Sequence, residues 1–264
     1  MDLVHTVARL SIAPVKGLGL VHPEEVALTA AGVAEDRRFY LLDAAGRVFK
    51  GKHHGPLVGV RPDYEAAGDR LALTFPDGRR VAAAVRTGGR VRTAFYGGRT
   101  VEGRVVVGPF AAALSDYAGR PLRLARTERP GQGNDEQAVT LLGDESVAAL
   151  VRDAGLAAPL DARRFRMLVT LAGGHAYDED AWAGGTVRVG GAVVRVGGPV
   201  PRCVVTRQNP VTGERDVQVL DAIVAARGTG PDGSIDLGRY AEVVEPGPVR
   251  VGDPVVPVAG PAPG

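Results

Sequence analysis

Cys203, the single cysteine of the chain, is the strongest chemical candidate in the sequence. It follows an apolar strand-like run, in the segment Pro199-Val-Pro-Arg-Cys-Val-Val-Thr206, where two prolines fix φ and stiffen the turn. Arg202 and Arg207 flank the thiol, and nearby positive charge favours the thiolate, which attacks electrophiles and binds soft metals. Two interpretations stay open at this stage: a reactive or metal-binding thiol, and an inert buried cysteine.

Clusters of cationic residues form a second signal, because three more of them lie at the starts of strand-like runs. They are Lys16 at the glycine turn 13–17, Arg37 and Arg38 within 32–39, and the arginines of 163–166. Arginine binds phosphate or carboxylate through two parallel N–H groups, so the clusters together predict one anionic ligand. Taken alone, each cluster is a weak signal: a solvated loop lysine explains Lys16 better, and one of Arg37 and Arg38 is expected to be solvated or salt-bridged. Since consecutive side chains of an extended chain point to opposite sides, only one of Arg37 and Arg38 can face a given pocket.

Several other kinds of site are excluded or disfavoured. One cysteine cannot form an internal disulfide, a thiolate zinc cage or a four-cysteine iron–sulfur site. The histidines at 53, 54 and 175 lack the spacing of a metal site, and no dinucleotide or phosphate-loop motif fits. Lysine occurs only at Lys16, Lys50 and Lys52, which the base composition of a GC-rich genome explains more simply than function does.

Composition indicates a folded globular protein of 264 residues, with 45% hydrophobic and 23% charged residues. Basic and acidic residues nearly balance, at 32 and 30, which argues against non-specific nucleic-acid binding. No signal peptide or membrane-spanning run is evident, so we expect a cytoplasmic protein with a small-molecule substrate and neither nucleic-acid nor membrane partners.

Glycine and proline punctuate short alternating runs, which predicts a mainly β protein with a few helices. The clearest hairpin is 186–196, turning at Gly190-Gly191. Helices are predicted over Phe110–Tyr117, over Glu145–Ala154 with Asp144 as its cap and Gly155 as its stop, and over Val217–Ala226. A change of character near Gly108-Pro109 predicts domains at 1–108 and 109–258, followed by a disordered tail at 259–264.

Several segments together resemble the MOSC family, related to the C-terminal part of molybdenum-cofactor sulfurases, in the form with an N-terminal β-barrel-like domain. The segments occur in the family's order over nearly the whole chain. They are Pro14-Val-Lys16, Gly32…Glu35-Asp-Arg-Arg-Phe39, Thr140-Leu-Leu…Ser146, Arg164-Phe-Arg166, Ala176-Tyr-Asp-Glu-Asp-Ala-Trp182, Pro201-Arg-Cys203, Pro210-Val-Thr-Gly213 and Tyr240…Val244-Glu-Pro-Gly…Val249-Arg-Val-Gly-Asp253.

The resemblance implies a β-barrel-type MOSC domain and a molybdenum cofactor, Mo-molybdopterin, with Cys203 as the metal ligand. It also implies the residues that hold the pterin and its phosphate, which are Lys16, Arg38, Thr140, Arg164, Arg166, Arg202 and Tyr240. Relatives of this architecture include amidoxime-reducing components, so the expected activity is reduction of N-hydroxylated or related N–O and S–O compounds with an electron-donor protein. Pyridoxal phosphate binding is a further property that the resemblance implies for the domain.

The sequence departs from the family pattern at three positions. Gly17 stands where cofactor-binding relatives have serine or threonine, and Met167-Leu168 stand where they have Pro-Asn. Loss of one hydrogen-bonding group at a buried polar ligand costs about 1–3 kcal/mol, which would weaken cofactor binding. A second hypothesis is therefore a cofactor-free sulfurtransferase or C–S lyase with Cys203 as nucleophile. A third is a non-catalytic carrier or binding module for the cofactor.

Overall fold

The structure is a computed structural model that describes residues 5–258 of the chain, and the predicted tail at 259–264 lies outside this range. The described chain is built mainly of β-strands, as the sequence predicts. The strands are β1 His5–Leu10, β2 Val15–Lys16, β3 Glu25–Leu28, β4 Phe39–Leu42, β5 Arg61–Glu65, β6 Arg70–Thr74, β7 Arg80–Ala84, β8 Arg86–Ala94, β9 Thr100–Val107, β10 Arg123–Thr127, β11 Val139–Gly143, β12 Val169–Ala172, β13 Thr186–Val189, β14 Ala192–Pro201, β15 Asp236–Glu245, β16 Gly247–Arg250 and β17 Pro254–Val258.

Four α-helices and several short 3₁₀ turns connect the strands. The helices are α1 Phe110–Ala118, α2 Asp144–Asp153, α3 Asp178–Ala181 and α4 Val219–Arg227. The 3₁₀ turns are Gly51–His53, Gly55–Gly59, Tyr96–Gly98, Ala162–Phe165 and Val204–Arg207.

Seven strands close into a barrel in the order β1-β12-β11-β15-β14-β13-β17, with β17 pairing back to β1. Alternation explains why these runs form barrel walls: in β13, Val187 and Val189 are buried while Arg188 is exposed. The predicted hairpin is confirmed, since β13 and β14 pair antiparallel around Gly190, whose φ is 56°. A Cβ at Gly190 would collide with the Asp253 carboxylate, so the turn requires glycine for both backbone conformation and space.

A second sheet has the order β2-β4-β10-β9-β8, and a three-stranded sheet β5-β6-β7 accompanies it. Leu41, Leu73 and Leu124 belong to the apolar core that these sheets share with α1. Helices α2 and α4 pack instead on the outside of the barrel, where Leu150 and Ile223 share a cluster with Leu237 of β15.

Sheet pairing crosses the predicted boundary at 108–109 in both directions. Strand β1 belongs to the barrel, most of which follows residue 139, whereas β10 lies between β4 and β9 in the second sheet. Strand β3 likewise pairs with β16. The two halves of the chain are therefore interleaved, and the boundary itself stays a prediction.

The predicted helices are present, but the predicted cap of α2 is wrong. Gly143 occupies the N-cap position, and Asp144 is the first helical residue and makes no capping hydrogen bond. Glu179 of α3 takes over the role, because its carboxylate accepts from the Gly143 N–H (3.4 Å) and the Ser146 hydroxyl (2.8 Å). Gly155, the expected stop, has φ of 64° just past the helix end.

Within residues 5–258, no helix combines the length and the apolar character that crossing a membrane requires.

Candidate functional site

A cavity of about 440 Å³ lies where the two halves of the chain meet. One side is formed by residues of the 16–96 region, including Lys16, Arg37, Phe49, Lys50, Lys52 and Tyr96. The other is formed by residues of the 134–240 region, including Thr140, Arg164, Arg166, Arg202, Cys203 and Tyr240. The cavity thus gathers seven of the eight residues that the resemblance implicates.

Cys203 is an exposed residue on the wall of this cavity. It lies two residues past Pro201, the end of β14, and directly precedes the 3₁₀ turn Val204–Arg207. Its carbonyl oxygen accepts hydrogen bonds from the Thr206 backbone N–H (3.0 Å) and hydroxyl (2.9 Å), which fixes the backbone that carries the thiol. The interpretation as an inert buried cysteine is therefore wrong, because the thiol is open to ligands.

Arg166 is a cation without a carboxylate partner among the described residues. Its guanidinium donates to the Leu18 carbonyl (2.7 Å), and its backbone is left-handed, with φ of 54°. Burial lowers the pKa of Arg166 to about 10, and the neighbouring charge of Arg37 adds to this effect. An anion bound beside Arg166 would supply the missing opposite charge.

Arg202 is the second such cation, held by neutral acceptors. Its guanidinium donates to the carbonyls of Leu237 (2.8 Å) and Phe165 (3.0 Å) and to the Met167 sulfur (2.9 Å). Burial lowers the pKa of Arg202 to about 10, while the negative forms of Tyr240 and Cys203 act in the opposite direction. Arg202 is therefore fixed in place next to Cys203.

Three other cations of the cavity are neutralised by carboxylates. Arg164 forms an ion pair with Asp216 (2.7 Å), and its hydrogen bond lowers the pKa of Asp216 to about 2. Lys16 donates to Asp135 (2.8 Å), and burial lowers the pKa of Lys16. Arg37 pairs with its neighbour Asp36. The inner wall therefore keeps Arg166 and Arg202 as its uncompensated charges.

Arg37 lines the cavity and Arg38 does not, so the assignment of Arg38 to the cofactor stays a prediction that the cavity does not support. Arg38 turns away and donates to the carbonyl and the hydroxyl of Thr127. The expectation that only one of the two faces a pocket is confirmed. Which one does so depends on Arg37 having a left-handed φ of 50°, and no local residue pattern reveals that conformation.

Thr140 and Tyr240 line the cavity on neighbouring strands, where they are register partners of β11 and β15. The Thr140 hydroxyl oxygen accepts from the Leu168 N–H at 2.8 Å. Burial raises the pKa of Tyr240, so the phenol keeps its proton. Both residues therefore offer an O–H group to the cavity.

Each of the three departures from the family pattern has a local physical reason. Gly17 has φ of 90°, where serine or threonine would be strained. The Met167 sulfur accepts a hydrogen bond from Arg202, and Leu168 packs in the barrel core. The structure thus compensates these replacements with packing and with the Met167–Arg202 contact.

Sequence reasoning missed the outer wall of the cavity, formed by Phe49, Phe95 and Tyr96 with Lys50 and Lys52. One signal was present in the sequence. All three lysines of the chain line this cavity, whereas the arginines are spread over the molecule.

Within the described part of the chain, no group of three or more histidine, cysteine, aspartate or glutamate side chains is placed to hold a metal ion.

Two family models match the chain, and several known proteins are similar to it. The MOSC domain model matches residues 128–256, and the model of the MOSC N-terminal beta barrel domain matches residues 4–117. The chain is 26% identical to mitochondrial amidoxime-reducing component 1 of Xenopus laevis over 97% of this chain and 82% of that protein. It is 25% identical to the Homo sapiens protein of the same name, over 97% and 83%. The crystal structure of the YUAD protein from Bacillus subtilis covers 96% of this chain and 94% of its own, with 11% identity and a TM-score of 0.46.

Proposed function

The chain belongs to the MOSC family, and from that premise we propose that its cavity binds a molybdenum cofactor and reduces N-hydroxylated or related N–O and S–O compounds. One observation carries the proposal: the exposed thiol of Cys203 shares a cavity with two guanidinium groups, Arg166 and Arg202, that lack a carboxylate partner among the described residues. The names of the two amidoxime-reducing relatives support the substrate class.

The residues present fit a cofactor that carries a phosphate and sulfur-bound metal. The cavity volume lies within the range of small-molecule sites, about 300–1,000 Å³. Leaving a buried guanidinium without an opposite charge is costly, so Arg166 and Arg202 favour an anionic ligand. A thiolate is a soft ligand of the kind that heavier metals bind.

Each side chain then has a distinct task. Cys203 would be the protein's ligand to the metal, beside the positive charge of Arg202. Arg166 would bind the anionic group, with Arg37 next to it. Thr140 and Tyr240 would donate hydrogen bonds to the polar edge of the cofactor, while the Lys16–Asp135 and Arg164–Asp216 pairs hold the wall in shape.

The bound cofactor would supply the two-electron reduction of an N–O or S–O bond, which the protein side chains alone do not provide. In net terms, an N-hydroxylated substrate takes up two electrons and two protons, the N–O bond breaks, and the oxygen leaves as water. The electrons come from an electron-donor protein, which the proposal therefore requires as a partner. The protein's own contribution is to orient the groups and to exclude competing ligands.

Elemental analysis tests the proposal on protein purified from a host that makes the cofactor. We expect close to one molybdenum per chain, pterin fluorescence after oxidation, and reduction of benzamidoxime with a chemical electron donor. Cys203→Ser should abolish turnover at an unchanged melting temperature, because the residue is exposed and the change is small. Protein without molybdenum or pterin, or full turnover by Cys203→Ser, would overturn the proposal.

The second hypothesis, cofactor-free sulfur transfer or C–S cleavage, has the support that the same thiol is exposed beside arginines that could hold a substrate carboxylate. Alkylation of metal-free protein across pH separates the two. An activated nucleophile reacts well below pH 8.5, the ordinary thiol pKa, and a cofactor-free enzyme keeps its activity after the metal is removed.

A further inference from the structure

The mouth of the cavity carries a second group of cations that the proposed cofactor site does not use. Lys50 and Lys52 line the cavity and are exposed. Within residues 5–258, neither has a carboxylate within ion-pair distance, and Asp135, the carboxylate that lines the cavity, is paired with Lys16. Two free positive charges therefore remain at the mouth, separate from Arg166 and Arg202.

Contacts from both halves of the chain hold the segment that carries these lysines. The backbone of Gly51, between them, packs on Gly17, since a Cβ at Gly51 would lie 3.4 Å from the Gly17 Cα. Its carbonyl accepts from the Gln208 amide (3.3 Å), and the Lys52 carbonyl accepts from Arg215 (3.2 Å). The lysines are thus placed at the mouth by a fixed backbone.

The choice of lysine in this place is itself informative. Of the other 30 basic residues, 29 are arginine, including Arg166 and Arg202 of the inner wall, and the remaining one is the paired Lys16. Arginine holds carboxylates and phosphates in a fixed bidentate geometry, whereas the lysine ammonium is a hydrated point charge on a flexible stem. A point charge suits a ligand that enters and leaves in each turnover.

The rest of the outer wall is apolar and aromatic. Val58 and Phe49 are buried there, while Tyr96 is 55% exposed on a turn between strands. An aromatic ring exposed at a cavity mouth offers a flat surface for a planar apolar group. A ligand of this outer region would therefore combine an apolar body with a negative charge.

We propose that Lys50 and Lys52 select an anionic substrate, so that the compound reduced at this site is an N-hydroxylated organic acid with an apolar, planar body. This inference rests on the proposed function for the reaction itself. To that reaction it adds that the substrate is negatively charged, and this part of the inference rests on Lys50 and Lys52 alone.

The test uses cofactor-loaded protein with reduced methyl viologen as electron donor, so that no donor protein takes part. The probes are benzamidoxime, which is neutral, and 4-carboxybenzamidoxime, which carries one negative charge at the far side of the same ring. The quantity measured is kcat/KM for 4-carboxybenzamidoxime divided by kcat/KM for benzamidoxime, in the natural chain and in Lys50→Gln/Lys52→Gln. We expect this ratio to be roughly five- to tenfold lower in the variant, and the difference to be smaller at high salt.

Two controls isolate the position of the charge. Lys50→Arg/Lys52→Arg keeps the charge and should keep the ratio. Arg86→Gln/Arg90→Gln removes the same charge from exposed positions on β8 that do not line the cavity, and it should leave the ratio unchanged. A ratio that moves by less than twofold in the lysine variant, or equally in the β8 variant, would overturn the inference.

Calorimetry with 4-carboxybenzamidoxime and unreduced protein separates failure of this inference from failure of the proposed function. If neither probe is reduced, the proposed function is wrong. Binding of the carboxylate probe that weakens at least fivefold in Lys50→Gln/Lys52→Gln would still support the anionic ligand, and charge-independent binding would contradict it.

Discussion

Two segments from opposite halves of the chain, 36–38 and 163–166, each bring one arginine to the cavity in a left-handed backbone conformation. Arg37 has φ of 50° and Arg166 has φ of 54°. Their electrostatic situations are opposite. Although burial opposes its charge, the carboxylates of Asp36 and Asp135 raise the pKa of Arg37 above its ordinary value. At Arg166, burial and the charge of Arg37 outweigh the same two carboxylates and lower the pKa to about 10.

The presence of a carboxylate partner, more than the guanidinium itself, therefore distinguishes a structural arginine from one that can bind a ligand. Arg164, two residues from Arg166, shows the same difference within one segment. The charge of Arg164 is satisfied by Asp216 at 2.7 Å, while the Arg166 guanidinium donates to the neutral Leu18 carbonyl. A left-handed backbone at an arginine is also uncommon, and such conformations are concentrated at functional sites.

Removing the negative charge of Asp36 should leave Arg37, like Arg166, without an ion-paired carboxylate. In Asp36→Asn, the amide oxygen can still accept from the Ala13 N–H (2.7 Å), but Arg37 loses its adjacent charge partner. We expect a loss of about 3 kcal/mol in unfolding free energy, since a nearly buried charge is left without its partner. Denaturant titration measures this.

The same variant should bind anions more tightly, which sulfate binding by calorimetry would report. A stability loss without any gain in sulfate affinity would show that Arg37 does not reach the cavity in solution. Glu35→Gln, one residue earlier, is the matched control, because Glu35 makes no ion pair among the described residues.

Neutralising Arg166 should have the opposite effects: weaker binding of anions and no loss of stability. Arg166→Gln is expected to weaken binding of the anionic cofactor by ten- to hundredfold, because a charge-assisted hydrogen bond of about 1.5–3 kcal/mol is lost. The melting temperature should stay the same or rise, since an uncompensated charge leaves the interior. Molybdenum and pterin content after extensive dialysis gives the first quantity, and thermal unfolding of cofactor-free protein gives the second. Parallel losses of both would assign Arg166 a structural role.

A structural feature can be predicted from the sequence when the residues that cause it are neighbours in the chain. The β13–β14 hairpin and the end of α2 at Gly155 follow from neighbouring residues, and the sequence predicts both. The cap of α2 does not, because Glu179 comes from 36 residues beyond Gly143 and displaces the local candidate Asp144.

The site shows the same limit. The residue patterns singled out Cys203 and the arginine clusters that contain Arg166 and Arg202, and these three residues line the cavity. It could not choose between Arg37 and Arg38, since their directions depend on one backbone dihedral. Nor could it place Lys50 and Lys52, whose position at the mouth is set by Gln208 from the other half of the chain.

The Arg164–Asp216 ion pair should make the stability of the protein depend on pH in the acid range. The pKa of Asp216 falls from an ordinary 3.8 to about 2 because of the hydrogen bond from Arg164. A carboxylate with a lowered folded-state pKa contributes stability above pH 3.8, and this contribution is lost as the pH falls through about 2. Because Asp216 is more than a third exposed, we expect only about 1 kcal/mol. Thermal unfolding from pH 7 to pH 2 should show Asp216→Asn less stable than the natural chain at pH 7, with the gap closing by pH 2. A constant gap would mean that the pair does not govern this titration.

The smallest effect concerns Arg38, which the resemblance places at the cofactor and the structure places outside the cavity. Arg38→Gln removes hydrogen bonds to the Thr127 carbonyl and hydroxyl, so a stability loss of about 1 kcal/mol is expected. Its molybdenum content and its kcat/KM should stay within twofold of the natural chain, because no cavity contact is lost. Arg37→Gln is the matched variant one residue away and should reduce cofactor retention, since Arg37 lines the cavity beside Arg166. If the two variants exchanged these phenotypes, the left-handed conformation at Arg37 would be wrong, and with it the pairing of the two segments across the cavity.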